Sequence, residues 1–152
     1  MEPQIVKKPA MTLVGLKLHG KLEGMDIKAL WNTFGPRMAE IKDGDPNVCY
    51  GAMDNYNEAT QEFDYLAACA ARSASALPKD MISWNVPAQT YAVFPCTLTQ
   101  VGEAWMTVYQ QWLPGSGYKR AAGPEFELYD EKFNPQDPNG TLYRYVPIVS
   151  VN

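Results

Sequence analysis

Histidine occurs once in the 152 residues, as His19, and cysteine three times, as Cys49, Cys69 and Cys96. A Ser-His or Cys-His relay would have to be built around that one imidazole. No carboxylate or cysteine pattern lies beside it in sequence, so it reads as a surface residue rather than a base or metal ligand. Three scattered cysteines make neither a disulfide framework nor a zinc site; they read as small buried apolar residues in a reducing, cytoplasmic setting, with no cofactor or metal expected. Long hydrophobic runs are missing as well. The longest near-apolar stretch, YLAACAA, falls far short of the roughly 18 residues that span a bilayer, and the opening MEPQIVKKPAM lacks the apolar core of a signal peptide. Clustered basic residues are also wanting: 13 Lys and Arg stand against 17 Asp and Glu, a net charge of -4 with the cations dispersed. Nucleic acid and anionic membrane are therefore poor partners on electrostatic grounds.

What is present is a chain that is 46% hydrophobic, enough to fill a core, and of a length that favours one domain over 1–152. The segment MTLVGLKLHG (11–20) reads as a strand, preceded by a polar edge segment QIVKK and entered through Pro9-Ala10. From Ile27 the apolar positions Ile27, Leu30, Trp31, Phe34, Met38 and Ile41 predict a helix capped by Asp26 and interrupted at Gly35-Pro36. VCYGAMDNY and QEFDYLAACAAR then read as an antiparallel strand pair. After a Pro-containing joint, SASALPK, one strand is predicted over 81–98. A helix follows from near Thr99, with Val101, Ala104, Trp105, Val108, Tyr109 and Trp112 on its apolar face, and Pro114-Gly115 stops it. The strands EFELYD and LYRYVPIVS close the chain around a polar loop.

The second half echoes the first. A shift of 78 carries Pro9, Ala10, Thr12, Pro36 and Tyr65 onto Pro87, Ala88, Thr90, Pro114 and Tyr143, and Trp31 onto Tyr109. Because neither half alone covers both faces of its sheet, the expectation is α+β: two β-α-β-β units, about 1–74 and 80–152, related by a pseudo-two-fold axis, with a groove where they meet.

Chemistry concentrates between Trp105 and Asp130. Alternation along EFELYD sets Glu127 on one side with Glu125 and Tyr129, and Phe126 with Leu128 on the other. Which side faces the groove is left open, and Glu125 is expected to be solvated. A sheltered Glu127 would need a partner, a proton or a cationic ligand. Trp31, Trp105 and Tyr109 on helices, and Tyr50, Tyr65, Tyr143 and Tyr145 on strands, would supply flat faces that attract cations and hydroxyl tips that stay wet.

The run WMTVYQQWLPGSGYKRAAGPEFELYD, with FDYLAACA at 63–70, NVPAQTYAVF at 85–94 and the closing YVPIV, resembles the GyrI-like effector-binding domain of AraC- and MerR-type multidrug regulators. The Trp-Leu-Pro, Ser-Gly-Tyr and Phe-Glu-x-Tyr series is its most specific part. The resemblance implies a curved antiparallel sheet with two helices and a ligand groove between the halves. It also implies that the acid of Phe-Glu-x-Tyr, here Glu127, pairs with lipophilic cations among Trp105, Tyr109, Tyr65 and Tyr143 or Tyr145, with Trp31 and Tyr50 as looser matches. Since the effector-like fold begins within the first few residues, no DNA-binding domain is expected in the chain. Ligand uptake would end in sequestration or in signalling to a separate protein partner. The alternative is a hydrolase of strained electrophiles with Glu127 as general base. A weaker one, inhibition of a DNA topoisomerase, rests on the family name alone.

Overall fold

A computed structural model describes residues 2–74, 76–134 and 136–151. Met1, Ser75, Pro135 and Asn152 lie outside the described residues; they fall at the termini, in the expected joint and in the polar loop between the last two strands. Both expected helices form. The Asp26 side chain accepts from the Ala29 N–H at 2.9 Å and starts α1, Ile27–Phe34, with Leu30 and Phe34 buried. Pro36 lacks the N–H that would continue the helix, and the chain tightens into 3-10 turns over Gly35–Glu40. The second helix opens with a capping box between Thr97 and Gln100. It runs as α2 over Val101–Met106, widens into π-helical turns over Thr107–Trp112, and ends in a 3-10 turn at Leu113–Gly115.

Among the described residues nine strands form one sheet: β1 Gln4–Lys8, β2 Met11–Lys21, β3 Gly44–Asn57, β4 Glu62–Ala71, β5 Ile82–Val86, β6 Gln89–Thr97, β7 Tyr118–Arg120, β8 Glu125–Tyr129 and β9 Thr141–Ser150. The single strand expected over 81–98 is thus two strands, parted at Pro87-Ala88 as β1 and β2 are parted at Pro9-Ala10. The break has a topological consequence. β1 pairs with β6 and β5 with β2, so each half lends its first strand to the other half's sheet. The proline cannot donate to a ladder and marks the point where the chain changes neighbours. The short β7, not foreseen in the sequence, follows Gly117, whose φ of 82° suits glycine, and pairs with β9.

The strand order β1-β6-β9-β8-β3-β4-β2-β5 reads the same from either end once β1 is exchanged for β5, β2 for β6, β3 for β8 and β4 for β9. At the centre, Tyr50 of β3 faces Leu128 of β8, and these are mates under the 78-residue shift. The pseudo-two-fold axis therefore passes through that pair. All pairings are antiparallel, and the sheet curls into a half-barrel with both helices on one face.

One echo does not survive. Val14 pairs with Cys69, whereas Ala92, the mate of Val14, pairs with Val146, one residue short of the position the shift requires. A one-residue offset exchanges the faces of a strand. Tyr65 accordingly faces the helices and Tyr143 the opposite side, so the match of Tyr65 with Tyr143 is coincidental. Under α1 lie Val14, Leu16, Ala67 and Cys69; under α2 lie Ala92, Phe94, Val146 and Ile148. The opposite, concave face packs Leu13, Leu66, Tyr91 and Phe126 into a core of its own.

Candidate functional site

The central strands expose four positions to the helix side next to the axis: Cys49 and Gly51 on β3, paired with Tyr129 and Glu127 on β8. Gly51 matters here because it has no side chain. The Tyr65 ring, rooted on the adjacent strand β4, lies across Gly51, and a Cβ there would overlap the Tyr65 hydroxyl and come within 3.4 Å of Glu127 Oε1. Trp31, projecting from α1, donates its indole N–H to the Tyr65 hydroxyl at 2.9 Å and meets the Tyr129 ring edge-on at 5.7 Å. Tyr129 donates to Glu127 Oε1 at 3.1 Å. Trp31, Tyr65 and Tyr129 thus form a lid of rings on one side of the acid.

On the other side stands Arg144 of β9, the register partner of Glu127. Its Nη1 donates to Glu127 Oε2 at 3.3 Å, and its Nη2 lies 3.7 Å from Glu125 Oε2. The three are nearly removed from water, with 5% of Glu127, 8% of Glu125 and 2% of Arg144 exposed. Glu125, expected to be solvated, is therefore buried: it sits on the helix-facing side of β8 beneath Tyr109. The Tyr109 hydroxyl donates to Glu125 Oε1 at 3.1 Å and accepts from Arg120 Nε at 3.1 Å. Burial pushes the Glu127 carboxyl above the ordinary carboxylate range, against the opposing pull of Arg144 and Tyr129. Burial, then the charge of Glu125, raises the Tyr109 phenol to about 12, so it remains a neutral donor at physiological pH.

The eight aromatic and acidic positions expected around one groove divide between two faces. Glu127, Trp31, Tyr65 and Tyr109 gather on the helix side. Trp105 stacks obliquely on Tyr109 at 4.9 Å and is 40% exposed, at the outer end of the cluster. Tyr50, Tyr143 and Tyr145 lie on the concave face with Phe126, where Tyr145 stacks on Phe126 at 4.7 Å and Lys8 Nζ sits 5.3 Å from the Tyr145 ring centre. That division follows from alternation. Tyr143 and Tyr145 register with Leu128 and Phe126, the residues flanking Glu127 that point away from it. Sequence reasoning passed over Arg144, although an arginine between two tyrosines in an apolar strand, in step with Leu142 and Val146, marks a buried cation. It also missed the carboxylate at His19, whose Nδ1 lies 2.7 Å from Asp64 Oδ1 across the β2–β4 ladder; the imidazole itself is largely exposed, as expected.

Two hollows on the surface lie elsewhere. One of about 600 Å³ is bounded by Pro3, Ile5, Gln111, Trp112 and Tyr118, and one of about 540 Å³ by Gln89, Thr90, Ala121 and Ile148. Neither touches Glu127, where the chain's own rings occupy the space above the acid.

A duplicated β-α-β-β sheet, curled with two helices on one face, is the fold of GyrI-like effector-binding domains. The chain belongs to the family of the GyrI-like small molecule binding domain, whose model matches residues 1–149. It is 37% identical to the transcriptional regulator BrlR of Pseudomonas aeruginosa over 152 residues, 97% of this chain, and spans about half (56%) of that relative's length. Two solved structures share the fold at low identity. SAV2435 bound to tetraphenylphosphonium has a TM-score of 0.76 at 17% identity, covering 98% of this chain and 94% of that one. The EcmrR C-terminal domain has a TM-score of 0.73 at 16% identity, covering 99% and 100%. Among the described residues no helix is long and apolar enough to cross a membrane.

Proposed function

We propose that this domain binds flat, hydrophobic, cationic molecules on the helix side of the sheet, between α1 and α2, with Glu127 as the counter-charge and Trp31, Tyr65, Tyr129 and Tyr109 as the walls. The observation that carries this reading is the carboxylate itself: an acid 5% exposed at the axis, beneath aromatic rings held by only a few hydrogen bonds. Burying a carboxylate costs several kcal/mol, and a ligand cation that excludes water beside it recovers part of that cost. Each ring face presented to the cation adds about 0.5–2 kcal/mol. Binding requires the Trp31–Tyr65–Tyr129 lid to swing aside, which suits apolar ligands large enough to replace the ring contacts. The tetraphenylphosphonium carried by SAV2435, a lipophilic cation, supports this choice of ligand class.

The hydrolase alternative gains nothing from this geometry, because Glu127 is 5% exposed beneath the rings, and the lone pairs left over from its bonds with Tyr129 and Arg144 have little access to water. A general base needs a free lone pair directed at water. The domain would serve as the sensing or sequestering part of a regulatory system, passing ligand occupancy to a separate domain or partner.

Titration calorimetry with tetraphenylphosphonium and with the neutral triphenylphosphine oxide tests the reading. Glu127→Gln should weaken the cation about ten-fold, the equivalent of roughly 1.4 kcal/mol, while leaving the neutral compound within about two-fold. Equal losses for both would overturn the electrostatic role.

A further inference from the structure

A buried ion pair is weak evidence of stability, and an apolar pair of similar volume commonly does as well, so the fold by itself does not account for the arginine beside Glu127. Its geometry is also incomplete. Of the two carboxylates that flank it, only Glu127 is within hydrogen-bond reach, at 3.3 Å; Glu125 stands off at 3.7 Å. Among the described residues, Glu125 Oε2 and Arg144 Nε have no hydrogen-bond partner, although both atoms are buried. Unfilled buried acceptors and donors are rare and call for an explanation. Here the unfilled acceptor lies beside the guanidinium: a shift of under 1 Å would bring Nη2 to an ordinary 2.9 Å bond with Glu125. Arg144 therefore has two acceptors within a short swing, and in the resting arrangement bonds only the one that the ligand also needs.

Resting on the reading of Glu127 as the ligand's counter-charge, we infer that Arg144 is a specificity-determining residue, a resident counter-cation that a ligand cation displaces from Glu127 toward Glu125. The groove then does not present a bare negative charge. Two carboxylates around one guanidinium leave one net charge, and Arg120, 3.9 Å from Glu125 Oε1, draws on that from the outside. A cation gains from Glu127 only what is left after Arg144 has been moved, so the resting pair sets a threshold. Neutral aromatic ligands enter without moving Arg144. Small hydrated cations, which bring no ring contacts, fail to displace it.

The double variant Glu125→Gln with Arg144→Gln separates this from a simple charge effect, because it removes one negative and one positive charge. The three positions keep a net charge of -1, yet Glu127 loses its resident partner. In calorimetry the folded double variant should bind tetraphenylphosphonium about ten-fold more tightly than wild type, with triphenylphosphine oxide unchanged. Unchanged or weaker cation affinity would overturn the inference, and the Glu127→Gln comparison would still stand or fall by itself. A crystal structure of the wild-type protein with tetraphenylphosphonium gives a readout independent of any variant's folding. Arg144 Nη1 should lie beyond about 3.5 Å from Glu127 and Nη2 within about 3.2 Å of Glu125. A retained Arg144–Glu127 bond beside the bound cation refutes displacement.

Discussion

Placing a methyl group at Gly51 should unlatch the aromatic lid. A Cβ at this position would overlap the Tyr65 hydroxyl, lie 3.1 Å from its Cζ, and reach Glu127 Oε1 at 3.4 Å, where ordinary contact begins. The backbone of β3 is held between β4 and β8, so Tyr65 has to give way. A retreat of roughly 1 Å would stretch the 2.9 Å bond from Trp31 Nε1 past the limit of a hydrogen bond. Overpacking costs about 1–3 kcal/mol and loss of the part-buried Trp31–Tyr65 bond about 0.5–1.5 more, so Gly51→Ala should destabilise by roughly 3 kcal/mol. For a chain of this size that corresponds to a Tm lower by about 6–12 °C. The decisive assay is a double-mutant cycle by urea unfolding. In a Tyr65→Phe background the overlapping oxygen is absent, and the cost of Gly51→Ala should fall to about 1 kcal/mol. An equal cost in both backgrounds would mean that Tyr65 does not lie over Gly51, and the lid described here would be wrong.

Gly15→Ala should be far more damaging, by more than about 4 kcal/mol and without a cooperative melt at 37 °C, because its Cβ meets backbone: 2.7 Å from the Ala67 carbonyl carbon and 2.8 Å from Ala68 Cα. A soluble variant within about 1 kcal/mol of wild type would refute it. At the edge of the face opposite the helices, burial would raise Asp64, but hydrogen bonds from Asn55 and His19 outweigh it and hold its carboxyl below the ordinary 3.8. A lowered folded value stabilises above the unfolded one and is lost as pH falls through the folded one. Asp64→Asn should therefore cost about 1–2 kcal/mol at pH 7, with the difference from wild type shrinking as pH falls below the unfolded value and through the lower folded one; a gap that does not shrink at all on acidification in unfolding curves would argue against it.

How far the sequence reached is clearest at particular residues. Asp26, the stop at Pro36 and the spacing from Ile27 to Phe34 placed α1 because capping, proline sterics and the 3.6-residue period act locally. The exchange of β1 and β5 between halves was invisible, since pairing across 67 residues or more depends on the completed sheet. At the site, alternation tied Glu127 to Tyr129 correctly, and the hydroxyl does donate to the acid. It could not say which face that was, nor carry the register across to β9. There a one-residue offset moved Tyr143 and Tyr145 to the concave side and brought Arg144 to Glu127 instead.

The departures from symmetry at the axis have a physical reason beyond ligand binding. Under the 78-residue shift Glu127 is the mate of Cys49, and Tyr129 the mate of Gly51; the two pairs alternate diagonally across β3 and β8. A second glutamate at Cys49 would stand one diagonal from Glu127, roughly 7–8 Å away across a strand pair that excludes water. With the one guanidinium on the far side of Glu127, one carboxyl would have to take a proton or draw in water. A second large ring at Gly51 would fill the space that the Tyr65 ring now crosses. A perfect two-fold would therefore place like charge against like charge and ring against ring at the point where the halves meet. Asymmetry alone thus does not mark Glu127 as a ligand residue, because the sheet needs it to close. The stronger mark is the incomplete partnership on the other side of the acid, where, among the described residues, the buried Glu125 Oε2 and Arg144 Nε have no hydrogen-bond partner although Arg144 is the direct register partner of Glu127.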